Sequence, residues 1–250
     1  MNDNDNNNQN NDRDNRSVTD RIFAFENTMD RSRAILGWIY LPIHIFALPL
    51  LLGIMAQFSA VGLTEADANL IYYVIGLIFV MSTMLPFLRD GFDTFLDRPG
   101  RCLFSMVLGL ALTYLLSNIA AAVLLAFGEL TADPNTASVM EMAHYDYGKI
   151  KASAIFLAPI VEEVLFRGVA FGSLRERSRA AAYIVSALLF SVYHVWQPAY
   201  VYGDPRMLLY IIQYIPVSVA LARIYERSGS IWVPILFHMG FNAISFYVLY

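Results

Sequence analysis

The sequence predicts an all-α, polytopic membrane helix bundle of about seven transmembrane helices. Three observations predict it. Apolar residues make up 57% of the 250-residue chain and charged residues only 15%, with a mean hydropathy of +0.49. A water-soluble domain carries about a quarter charged residues. The apolar residues also fall in blocks of about 20, the length that crosses a bilayer as a helix. Finally, the connections alternate between rich and poor in basic residues, as the positive-inside rule requires.

The chain opens on "MNDNDNNNQNNDRDNR", with no apolar residue after Met1. Residues 1–16 cannot bury enough surface to offset the entropy of ordering them, and are expected to form a disordered Asn/Asp-rich tail. Residues 17–33 are a juxtamembrane lead-in, whose "RIFAFEN" is too short to span. Residues 34–250 form a single transmembrane domain. Its first span, Ala34–Phe58, has Arg13, Arg16, Arg21, Arg31 and Arg33 before it and no basic residue in the loop behind it. The second, Asn69–Leu88, runs into Arg89, Arg98 and Arg101. The third, Cys102–Phe127, meets a long loop, 128–148, that is free of basic residues. The fourth, Ile150–Leu174, is followed by Arg175, Arg177 and Arg179. The fifth, Ala180–Trp196, is short and can run on through Gln197 and Pro198; Arg206 stands alone after it. The sixth, Met207–Ile224, ends at Arg223 and Arg227, and the seventh is Ile231–Tyr250. Basic-rich sides face the cytoplasm. The N-terminus is therefore expected in the cytoplasm, and the protein in the cell membrane of a prokaryote. An eighth span, folded as a re-entrant hairpin, would break the alternation.

Composition also excludes some functions. The basic residues are scattered and form no nucleic-acid patch. Cys102 is the single cysteine, so no disulfide framework or CxxC site exists within the chain.

A charge at the bilayer centre costs at least about 2.5–3.5 kcal/mol. The fourth span nevertheless holds Glu162, Glu163 and Arg167 within "PIVEEVLFRG". Glu163 and Arg167 are four apart and share a helix face, so they can pair. Glu162 projects about 100° away and needs a partner from another helix. A helix that required only a salt bridge has no use for this second carboxylate. Of the four histidines, His44 lies in the first span and His144 in the long loop. His194 lies in "FSVYHVW" of the fifth span. His238 lies in "ILFHMGFN" of the seventh, four residues before Asn242. In lipid such groups turn toward one another or toward a wet cavity.

The order Glu162-Glu163-Val-Leu-Phe-Arg167, Phe190-Ser-Val-Tyr-His194, His238-Met-Gly-Phe-Asn242 resembles the EExxxR, FxxxH and HxxxN motifs of the CAAX protease and bacteriocin-processing family of intramembrane endopeptidases. The likeness covers about residues 155–246, inside a motif-bearing core of about 150–250. It implies a glutamate-dependent peptidase without a bound metal. On that resemblance Glu162 and His194 activate the attacking water, and Glu163 and Arg167 hold that glutamate's helix and charge. His238 and Asn242 serve the oxyanion, and Phe190 packs beside the site. Acid–base chemistry agrees, because peptide hydrolysis needs a base for water, an acid for the leaving amine and donors for the oxyanion. The expected partners are a membrane-associated or lipidated peptide or protein and the bilayer itself, not nucleic acid. Zinc is the competing cofactor, since two histidines and two glutamates suit it. The spacing is not HExxH, however, and the ligands would come from three spans, so no cofactor is expected. Two other functions compete with the peptidase. One is a non-catalytic immunity or scaffold protein of the same fold; the other is a proton-coupled transporter using Glu162 and His194 as a relay.

Overall fold

A computed structural model of the chain describes residues 25, 27–58, 62–128 and 133–249. The expected tail, 1–16, and residues 17–24 and 26 of the lead-in lie outside them. Nine helices and no strand occur among the described residues. They are α1 (Arg31–Phe58), α2 (Glu65–Thr83), α3 (Leu85–Asp97), α4 (Pro99–Ala126), α5 (Pro134–Tyr145), α6 (residues 147–175), α7 (Arg179–Tyr202), α8 (Pro205–Ser228) and α9 (Trp232–Leu249). The expected spans coincide with α1, α2, α4, α6, α7, α8 and α9. Five of these, α1, α2, α4, α7 and α8, are long and apolar enough to cross a membrane, and α9 is a shorter apolar helix. The apolar run of α6 is interrupted by Glu162, Glu163 and Arg167, though the helix itself is continuous. Ile39, Ile54, Leu110, Leu115, Ile184 and Ile244 stand exposed on the outside of the bundle, a surface suited to lipid rather than water. The chain is an all-α, multi-pass integral membrane protein.

Two elements differ from the expectation. The second span does not run to Leu88. α2 begins at Glu65 behind a capping box, in which the Thr64 side chain accepts from the Asp67 amide and Asp67 accepts from the Thr64 amide. It stops at Thr83, and Pro86 opens the separate helix α3. α3 is amphipathic: Phe87, Leu88 and Gly91 are buried, while Arg89, Asp90, Asp93 and Asp97 are exposed. The Ser230 hydroxyl donates to the Gly91 carbonyl at 2.6 Å and the Trp232 indole to the Leu88 carbonyl at 2.7 Å, tying α3 to the start of α9. The long basic-free loop, in turn, contains α5, which Asp133 caps by accepting from the amides of Asn135 and Thr136.

α6 is the central helix. Residues 161–172 are buried without a break, and the helix packs against α1, α2, α7, α8 and α9. It cannot therefore be amphipathic, which is why its charged groups face protein on every side.

α1 and α6 share a local device. In α1 a π turn, Ile43–Ala47, gives the Leu48 amide to the Ile43 carbonyl. The next residue, Pro49, has no N–H, so the His44 carbonyl is left without a main-chain donor. The Tyr72 hydroxyl of α2 supplies one at 3.0 Å. In α6 the π turn Ser153–Leu157 gives the Ala158 amide to the Ser153 carbonyl, and Pro159 follows. The stranded Ala154 carbonyl is met by the Asn242 amide of α9 at 2.9 Å. Each proline is thus matched by a polar side chain on a neighbouring helix.

α4 and α8 pack closely through Gly109, where a Cβ would collide with the Ile224 side chain. Gly109→Ala is expected to lower stability by about 1–3 kcal/mol through overpacking. Gly53→Ala faces open space and gains helix propensity, about 0.5–1 kcal/mol. Thermal unfolding in detergent should move in opposite directions for the two.

Candidate active site

α6, α7 and α9 each bring polar groups to one buried centre. Glu162 is 3% exposed. Its Oε1 accepts from the Tyr73 hydroxyl of α2 at 3.1 Å. Its Oε2 has no hydrogen-bond partner among the described residues and lies 3.9 Å from Nε2 of His194 and 3.9 Å from Nε2 of His238. That distance is too long for a direct bond, yet it is the span that one water bridges with two bonds of about 2.8 Å.

The far sides of both rings set their tautomers. The Nδ1 of His194 is 2.8 Å from the Phe190 carbonyl. A carbonyl only accepts, so Nδ1 carries a proton, and in the neutral ring Nε2 presents a lone pair toward Glu162. The ring is also stacked on Tyr214 of α8, with centroids 4.4 Å apart. The Nδ1 of His238 donates to Oε1 of Glu163 at 2.8 Å. A carboxylate behind an imidazole orients it and stabilises its protonated form. α7 runs on past Trp196 to Tyr202, which sets His194 two turns inside the helix rather than at its end.

Glu163 and Arg167 are both fully buried and form the i, i+4 pair that their spacing suggests, at 3.1 Å. Arg167 also donates to the carbonyl and hydroxyl of Ser218 on α8, at 3.2 and 3.0 Å. Its guanidinium lies over the Phe190 ring, 4.3 Å from the centroid. Phe190 in turn contacts His194 and His238, with centroids 4.4 and 5.9 Å away. One aromatic ring thus touches the arginine and both imidazoles.

Asn242 is placed differently from its neighbours. One of its two Nδ2 protons is committed to the Ala154 carbonyl, so this side chain holds α9 against α6. Asn242→Ala is expected to strand that carbonyl and cost about 1–3 kcal/mol, read as a lowered unfolding temperature. His44 and His144 are not among the groups around Glu162: the His44 ring is buried and stacked on Tyr72, and His144 is exposed.

Several residues of the site carried no sequence signal. Tyr73 bonds to Glu162, and Ser218 holds Arg167. Asp133 is 4% exposed and accepts from the Tyr214 hydroxyl at 2.6 Å, so the N-terminus of α5 is fastened beside the ring that stacks on His194. Among the described residues no group of three or more His, Cys, Asp or Glu side chains has the arrangement of a metal site.

Comparison with known proteins supports the CAAX protease and bacteriocin-processing resemblance. Residues 150–244 match the family described as "Type II CAAX prenyl endopeptidase Rce1-like". The "Putative membrane peptidase YdiL" of Bacillus subtilis (strain 168) is 25% identical over 185 residues, covering 73% of this chain and 70% of that protein. No solved structure matches the chain.

Proposed function

We propose that this chain, whose motif-bearing part matches a CAAX-type membrane protease family, is an intramembrane endopeptidase that cleaves a membrane-associated or lipidated peptide with a glutamate-activated water. One observation carries the reading: Oε2 of Glu162 faces two imidazole Nε2 atoms at equal distances of 3.9 Å. A water held there donates one hydrogen bond to Glu162 and one to the His194 lone pair. As its oxygen bonds to the scissile carbonyl carbon, its proton passes to Oε2 of Glu162. The carbonyl electron pair moves onto oxygen and meets the Nε2–H of His238 in its protonated form, whose Nδ1–H Glu163 holds. Collapse breaks the C–N bond, and the leaving amine takes the proton from Glu162.

Asn242 contributes its remaining Nδ2 proton to the oxyanion or acts only through the α6–α9 contact. A fall in kcat for Asn242→Ala beyond what its lost stability explains decides for the former. The reaction runs without a resident metal, so chelator-treated protein keeps its rate. The N-terminus lies on the basic-rich, cytoplasmic side, which a reporter fusion reads.

The test is a comparison of new peptide N-termini in membranes that carry the wild type or Glu162→Gln. Cleavage products lost with the variant identify the substrate. A scaffold or immunity protein would lose none.

A further inference from the structure

Glu162 has two carboxylate oxygens, and only one faces the imidazoles. The other is held by a chain of hydroxyls that the motifs do not include. The Tyr73 hydroxyl is 3.1 Å from Oε1 of Glu162 and 3.0 Å from the Tyr193 hydroxyl. The Tyr193 hydroxyl is 3.2 Å from that of Tyr72, which reaches the His44 carbonyl at 3.0 Å. The ends of this chain, a carboxylate and a carbonyl, can only accept. Tyr73 therefore gives its proton to Glu162 and Tyr72 gives its proton to His44. Tyr193 sits between them with one proton to share. The chain links four helices, and Tyr193 is the residue next to His194.

We propose that Tyr73 is a positioning residue for Glu162: its hydroxyl occupies Oε1 and so turns Oε2 toward His194 and His238, while Tyr193 holds Tyr73 in place. This rests on the peptidase reading for its catalytic consequence, but not for the contact itself. A carboxylate rotates about its last torsion unless an oxygen is fixed, because that torsion is broad. Fixing Oε1 leaves one oxygen to receive the water proton. The hydroxyl can stay bonded throughout turnover, since Oε1 accepts whether or not Oε2 is protonated. The Tyr72–His44 bond anchors the far end to the proline-stranded carbonyl of α1, so the chain is fastened to the main chain and not to a mobile side chain.

The test compares Tyr73→Phe, Tyr193→Phe and an exposed control, Tyr114→Phe, in lipid nanodiscs. Two readouts are needed. One is the cleavage rate of a peptide whose new N-terminus is lost in Glu162→Gln membranes. The other is the infrared carboxylate band of Glu162, identified as the band missing from Glu162→Gln. Tyr73→Phe should lower kcat about 10- to 100-fold, the cost of losing fixed geometry, with KM changed less than about twofold. It should also shift the carboxylate band. Tyr193→Phe should do both to a smaller extent, and Tyr114→Phe neither. A Tyr73→Phe protein that folds with kcat within about twofold of wild type, or with the band unmoved, overturns the proposal. If Tyr73→Phe does not fold, an unmoved band in Tyr193→Phe does the same. Should Glu162→Gln keep full cleavage, the peptidase mechanism fails, and the band comparison still decides whether Tyr73 holds Glu162.

Discussion

Glu162→Gln is expected to lower kcat by about 10²- to 10⁴-fold while leaving the fold intact. The substitution keeps the shape of the side chain and an oxygen for the Tyr73 hydroxyl to bond. It removes the carboxylate that, on the proposed mechanism, takes a proton from water and returns it to the amine. It also removes a buried carboxylate with an unpartnered oxygen, so the unfolding temperature should hold or rise. Activity and stability therefore move apart, which a misfolded variant cannot imitate. Unchanged cleavage by Glu162→Gln in purified, chelator-treated protein would end the glutamate mechanism. A silent phenotype of the same variant in cells, together with no cleavage by the wild type, would favour the scaffold reading.

Arg167→Met should have the largest effect on stability, a loss of about 3–5 kcal/mol read by thermal unfolding in detergent. The guanidinium is fully buried and joins Glu163, Ser218 and Phe190. Without it Glu163 keeps, among the described residues, only His238 as a partner, and the carboxylate is fully buried. Removing the stranded charge as well, in Glu163→Gln with Arg167→Met, should recover part of the loss, since the two residues are directly coupled. It should not recover catalysis, because His238 then has no carboxylate on Nδ1 to balance its protonated form. Recovery of both stability and rate would show that the pair serves the fold alone.

How much of this was legible depends on what kind of signal each residue left. Glu163 and Arg167 announced their contact by a spacing of four on a helix that could not otherwise bear them. Glu162 announced the need for a partner by pointing elsewhere. His194 and His238 were candidates because an imidazole in an apolar run is costly, and the three-span order added what spacing alone could not. Tyr73 left no such mark. The chain has 15 tyrosines, and one within "LIYYVIG" reads as an interfacial aromatic until its hydroxyl is seen against a carboxylate 89 residues away. The break at Met84 was hidden because apolar residues continue to Leu88; Pro86 was the only local sign. α5 lacked a long apolar run, and its Asp-Pro start was the sole cue. Asn242 was placed on its correct helix, but its bond to Ala154 depends on a π turn that periodicity does not encode.

The two proline-ended turns also limit how this bundle can breathe. Where neighbouring helices touch only through methyl groups, one can slide against the other in lipid at little cost. Between α1 and α2, and between α6 and α9, sliding would leave a bare carbonyl in oil, a penalty of several kcal/mol. Each pair is keyed and travels as one piece. On the peptidase reading, a seam that admits a polypeptide chain would leave both keyed pairs closed.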